Sequence, residues 1–271
     1  MEISRGMGRF PALQGSFLAL LFVAWPTAAQ KISGDFFYSI RDGKVTITGY
    51  RGSGGVVEIP AKIDESTVTQ IGDKAFFNCT GLVQIRLSSG ITSIGKQAFS
   101  ACYYLSSVEI PETLTRLEEG AFSNCRSLTN LRLPQALAGI PAYAFQGCAS
   151  LDGLEIPAGV QEIGDYAFAG CVRLGVVRIP PGVKSIGDHA FAGCAELSKV
   201  AILGRKTSLG SYVFSGCTQL TSIEIPTDKP AMAPTVPLSL AGEKIVPSGD
   251  RKGNSSIPPE EDSSPSLNAK P

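Results

Sequence analysis

Apolar and polar residues follow one frame through most of this chain. In Leu105-Ser106-Ser107-Val108-Glu109-Ile110-Pro111, Val108 and Ile110 alternate with polar neighbours. That alternation predicts a short strand with one face in a core. In Ile163-Gly164-Asp165-Tyr166-Ala167-Phe168-Ala169-Gly170-Cys171, the Ile, Ala, Phe and Cys would point inward around a tight helical turn. The frame returns every 23 residues, with cysteines at Cys79, Cys102, Cys125, Cys148, Cys171, Cys194 and Cys217. A phenylalanine stands three positions before each cysteine (Phe76 to Phe214) and a leucine three after (Leu82 to Leu220). A fixed period in this range predicts a solenoid whose stacked coils share one core. Periodic residues are therefore explained first by packing, and function is sought where repeats differ.

Punctuation supports the frame. Proline closes most strands (Pro60, Pro111, Pro134, Pro157, Pro180, Pro226), because it cannot extend a hydrogen-bonded ladder. Ser88 and Leu203 are the exceptions. The residue before each cysteine is Asn78, Ala101, Asn124, Gly147, Gly170, Gly193 or Gly216. Glycine and asparagine together predict a left-handed backbone there, with Ala101 strained. The glycine of the Ile-Gly pair is different, since Pro141 and Glu118 replace it. Proline requires negative φ, so that glycine is kept for space.

The pattern Leu-x-x-Val-x-Ile-Pro, then x-x-Val-x-x-Ile-Gly-x-x-Ala-Phe-x-x-Cys, resembles the BspA-like leucine-rich repeats, also called the Treponema pallidum type. It covers about 55–226. The stretch Val45-Thr46-Ile47-Thr48-Gly49-Tyr50 is similar to the cap that precedes such arrays. The resemblance points to a treponemal member. It implies a right-handed, curved leucine-rich repeat solenoid, with a parallel sheet on one side and short helical turns and loops on the other. It also implies a binding role, with host-protein adhesion proposed for surface members.

The domain boundaries follow from these readings. Residues 30–54 are expected to cap the array, with Asp42-Gly43 turning a hairpin. Residues 55–226 hold the repeats. Residues 1–29 read as a secretory signal, with Arg5 and Arg9 before an apolar run and Thr27-Ala28-Ala29 as the cleavage region. Export places the mature chain in the periplasm, with secretion or surface association as the alternative, and without a membrane span. Residues 227–271, rich in proline and serine, read as a disordered tail. The last strand, Ser222 to Pro226, is then expected to leave an open edge and core end, a route to a homodimer, with the alternative that Met232, Val236, Leu238 and Leu240 of the tail fold back as a cover.

Export permits disulfides, but the cysteine count is odd and stacking is the wrong geometry. Coils about 4.8 Å apart hold cysteines parallel, whereas a disulfide needs Cβ atoms about 3.8 Å apart and turned together. Buried, reduced thiols are expected. Net charge is zero from 24 basic and 24 acidic residues, which gives no basis for nucleic-acid binding. No phosphate loop, metal motif or catalytic grouping appears around His189, the one histidine. The chain reads as a protein-binding molecule without cofactor, not an enzyme.

Two variable columns are the candidate surfaces. The outward strand position runs Glu58, Arg86, Glu109, Arg132, Glu155, Arg178, Ala201, Glu224. Alternating charges on adjacent rungs predict a stabilising ladder first and a polar recognition face second. The other column is Tyr143, Tyr166, His189 and Tyr212, two positions before the core phenylalanine. Those rings either cover the seam between coils or form a protein-binding stripe.

Overall fold

A computed structural model describes residues 30–226. The signal segment expected at 1–29 and the tail expected at 227–271 lie outside the described residues. The chain winds into a parallel β-solenoid of about eight turns. One strand column begins Gly55–Glu58, Leu82–Arg86, Ser107–Glu109 and ends Val176–Ile179, Lys199–Ile202, Ser222–Glu224. Gln84, Ile85 and Arg86 pair with Ser107, Val108 and Glu109, so register follows the sequence period. A second column of short strands runs from Ser66–Ile71 through Ser93–Ile94 to Arg116–Leu117, then resumes at Gly139–Ile140 and continues to Ser208–Leu209.

The core is a spine of stacked rings. Phe76, Phe99, Phe122, Phe145, Phe168 and Phe191 are fully buried. Successive centroids lie 5.1, 5.1, 5.6, 5.4, 5.2 and 5.8 Å apart from Phe76 to Phe214. Offset aromatic stacking at such distances adds to simple area burial. The hairpin Phe36–Arg41/Lys44–Tyr50 forms as the sequence predicts, with Asp42 (φ 51°) and Gly43 (φ 68°) both left-handed. It caps the spine: Tyr50 stacks on Phe76 at 5.1 Å, while Lys44–Tyr50 extends the short-strand column beside Ser66–Ile71.

The expected helical turns are absent among the described residues. An i, i+4, i+5 spacing such as Ile163, Ala167 and Phe168 imitates an amphipathic helix, but the backbone cannot propagate one. Each turn segment holds two left-handed residues four apart, such as Tyr166 (φ 54°) and Gly170 (φ 73°). A helix needs consecutive right-handed residues. The N–H groups of Tyr166, Phe168 and Gly170 therefore donate to the next coil's Asp188, Ala190 and Ala192 carbonyls at 2.9, 2.8 and 2.7 Å. This side is a ladder of turns. The left-handed residue before each cysteine matches the sequence reading, Ala101 (φ 62°) included. The glycine of the Ile-Gly pair has no positive φ and is crowded: a Cβ on Gly164 would meet Ala142 N at 2.5 Å.

All seven cysteines are free thiols. From Cys102 onward each Sγ–H donates to the preceding coil's phenylalanine carbonyl, at 3.0–3.3 Å. A weak donor thus takes the second lone pair of a carbonyl already engaged by the cysteine of its own coil. Cys79 has no such coil before it and is only half-buried. At the other end, Tyr212, Phe214 and Gly216 find no backbone acceptor among the described residues. The core side chains of this last coil, Val213, Phe214, Leu220 and Ile223, are nonetheless 3–8 % exposed. The open core end expected there is not what the structure shows; Phe214 packs against Phe191.

Burial pushes the Cys102 and Cys148 thiols up to about 12 and raises Cys125 and Cys171 as well. The unfolded thiol titrates near 9.0. A raised folded value leaves stability intact below the unfolded one and removes it as pH climbs through the window from 9.0 to about 12. Thermal melts across that window should show a steady loss of stability, with a smaller slope in Cys148→Ala. Identical slopes would sink the assignment. Native protein should also expose Cys79 alone to a thiol reagent, and all seven once denatured.

Candidate interaction surface

The outward strand column places its residues side by side, but ion pairing is local. Arg86 pairs with Glu58 at 2.6 Å and with Glu109 at 3.2 Å. Gln84 Nε2 donates to the same Glu109 carboxylate at 3.4 Å. The two carboxylates beside Arg86 raise its pKa, chiefly through their hydrogen bonds. The next rung departs from the expected ladder: Arg132 pairs with Glu112 at 3.8 Å. Ladder pairing lapses between Ser107–Glu109 and Asn130–Arg132, where Thr129 N–H still donates to the Ser106 carbonyl at 3.3 Å. Among the described residues Glu155, Arg178 and Glu224 share the column without an ion pair between them.

The ring column is more tightly organised. Tyr143, Tyr166, His189 and Tyr212 form a continuous stack with centroids 5.2, 4.7 and 5.2 Å apart and planes within 15°. The first three are half-buried and Tyr212 is 48 % exposed. Their backbones are left-handed, at φ 59°, 54°, 55° and 56°. Lys74, Gln97 and Gly120 hold the same conformation in the earlier coils. This feature was not read from the sequence; Gly120 in the column was the only hint of it. An aromatic residue in that region costs roughly 1–2 kcal/mol where glycine costs nothing. Beside the stack, Asp165 and Asp188 accept the N–H of Asp188 and Ser211 at 2.8 and 2.6 Å, which ties consecutive rings to their coils. No cluster of three or more potential metal ligands occurs among the described residues.

A family model for the BspA type leucine-rich repeat region matches residues 58–152 and 138–231. The chain belongs to that family. Its solenoid is similar to the crystal structure of the leucine-rich repeat protein of T. pallidum, with 36% identity and a TM-score of 0.67. That match covers 71% of this chain and 91% of the other. A leucine-rich repeat protein of Bacteroides ovatus ATCC 8483 aligns at 22% identity and a TM-score of 0.37, over 71% of this chain and 70% of that one. A leucine-rich cell surface protein of Faecalibacterium prausnitzii A2-165 aligns at 19% identity and 0.30, over 74% and 96%. No protein of curated function matches the chain. BspA-type repeats serve protein–protein interaction in general.

Two substitutions separate the surfaces. Arg86→Glu sets three carboxylates on adjacent rungs, so melting should fall at low salt and recover partly at high salt. Arg132→Glu should change little beyond its contact with Glu112. Equal effects would restore an unbroken ladder. At the ring column, Tyr166→Ala keeps the backbone strain and loses the stack, whereas Tyr166→Gly loses the stack alone. Ala should be the less stable variant by about 1 kcal/mol, read from denaturant midpoints; the reverse order would contradict a left-handed Tyr166.

Proposed function

We propose that this chain is an exported binding protein that holds a protein partner, of the envelope or of a host, against its ring stripe. The observation that carries the reading is the run of four rings at positions where each pays for a left-handed backbone. The coil of Gly120 stands in the same column with glycine, so the fold itself asks for no ring. Tyrosine edges and hydroxyls at a half-exposed surface suit protein contact. The Glu58–Arg86–Glu109 cluster is a secondary candidate, with Arg132, Glu155, Arg178 and Glu224 on the same face.

The test compares wild-type protein with a variant carrying glycine at 143, 166, 189 and 212. Both are used to capture proteins from envelope and host-cell fractions. A partner retained by wild type and by Arg86→Glu, but lost by the glycine variant with its circular dichroism unchanged, supports the stripe. Retention by the glycine variant moves recognition elsewhere.

A second reading, a periplasmic scaffold that self-associates through the last coil, draws on the N–H groups of Tyr212, Phe214 and Gly216, which find no backbone acceptor among the described residues. A two-fold pairing sets donors against donors. Self-association through this rim therefore requires a head-to-tail contact with carbonyls such as Asp73, Ala75 and Phe77, which accept no backbone bond among the described residues. Sedimentation of the full chain at rising concentration distinguishes an open-ended series from a single dimer.

A further inference from the structure

The repeats depart from their own rule most strongly at Pro141. Along the short-strand column, the residue after the core aliphatic donates its N–H to the carbonyl one coil earlier. Gly95 reaches Ile71, Glu118 reaches Ile94, Gly164 reaches Ile140 and Gly187 reaches Ile163, at 2.7–3.0 Å. Pro141 has no N–H, so the Leu117 carbonyl goes without. Ala138 likewise makes no bond to Thr115, although Thr115, Gln161 and Lys184 each reach the coil before. The sheet breaks between Arg116–Leu117 and Gly139–Ile140, whereas Glu118, which has a Cβ but keeps its N–H, leaves the pairing with Ser93–Ile94 intact. Gly139 adds room by lacking a side chain. The result is a cleft of about 460 Å³ lined by three successive coils.

We propose that this cleft receives an arginine side chain of the protein partner; the inference rests on the binding role argued above. The Thr115 and Leu117 carbonyls are acceptors without a ladder donor. Glu162 and Asp165 line the cleft and are exposed. One Asp165 oxygen is held by the Asp188 N–H, which leaves the other for a guest. Arg116, the one cation in the wall, is tied to Glu118. The cleft therefore offers acceptors and negative charge between the apolar surfaces of Leu117 and Pro141. A planar guanidinium supplies a fork of five donors and two faces that tolerate apolar contact, whereas an ammonium supplies a compact charge. Ala142 and Asp165 immediately precede Tyr143 and Tyr166, so the cleft adjoins the ring stripe.

The probe is Nα-acetyl-arginine N-methylamide, titrated into the full chain and followed by amide NMR. Saturable shifts are expected at Leu117, Gly139 and Asp165, with about millimolar affinity for a ligand of this size. The citrulline analogue has the same shape without the charge and should bind at least about tenfold more weakly. Pro141→Gly installs the residue most other coils use, returns the N–H to Leu117, and should weaken the probe by a similar factor without lowering the melting temperature. Glu162→Gln with Asp165→Asn tests the charge if the glycine variant folds poorly. Equal binding of the citrulline analogue, shifts elsewhere, or undiminished binding by both variants overturns the proposal. Tighter binding of free arginine than of the blocked form also overturns it, by assigning the cleft to the amino acid. The probe needs no partner protein. Its failure leaves the ring stripe standing, and failure of the stripe variant leaves probe binding intact.

Discussion

The bond from one coil's turn to the next coil's carbonyls is what the rest of the molecule depends on. It requires left-handed residues at two fixed places, and these turn N–H groups out of the coil's own plane toward its neighbour. Tyr166 and Gly170 do this for Asp188 and Ala192, and their counterparts do so in every complete repeat. Once coils are locked one above another, each column becomes a line of like side chains. The phenylalanine spine, the thiol-to-carbonyl line and the ring stripe are consequences of that superposition. Stability in such a stack is a sum of coil and interface terms. A defect in one coil therefore stays local, which is why Pro141 can open a cleft while the spine beside it continues from Phe122 to Phe145 at 5.6 Å.

Much of this was legible because packing repeats. Val108 and Ile110 announced a strand, Asp42-Gly43 a hairpin, and the Gly/Asn choice before each cysteine a left-handed residue. The turn side misled for a physical reason. Its apolar spacing is that of a helix face, but spacing reports which side chains point inward, not which carbonyl an N–H reaches. Only glycine and asparagine advertise positive φ, and the ring column carried Lys74, Gln97 and three tyrosines instead. Within each candidate column, register alone set the residues on successive coils. It did not set their energetics, since Arg132 has a longer reach than its rung and found Glu112.

The two ends of the solenoid differ in kind. The hairpin meets the first coil with a ring, Tyr50, on the spine and a strand on the short-strand column. The last coil ends the described residues with donors facing outward. Because the bonds from the left-handed residues and the core phenylalanines all run to the next coil, this line of the stack has a polarity, with carbonyls toward one end and N–H groups toward the other. A cap on the turn side of the C-terminal rim must therefore bring acceptors.

That polarity also constrains where recognition can occur. Within the stack the turn-side donors are consumed by the next coil, so side chains carry any lateral contact. Backbone groups become available at the rim and where a residue without an N–H interrupts a ladder, as Pro141 does in the short-strand column. Pro141 creates carbonyls that need donors in the middle of the array, beside rings held in a strained backbone. Two departures from the repeat rule thus fall in neighbouring positions of the same coils, at Pro141 and Tyr143. Packing accounts for the positions that recur in every coil; it does not account for these two.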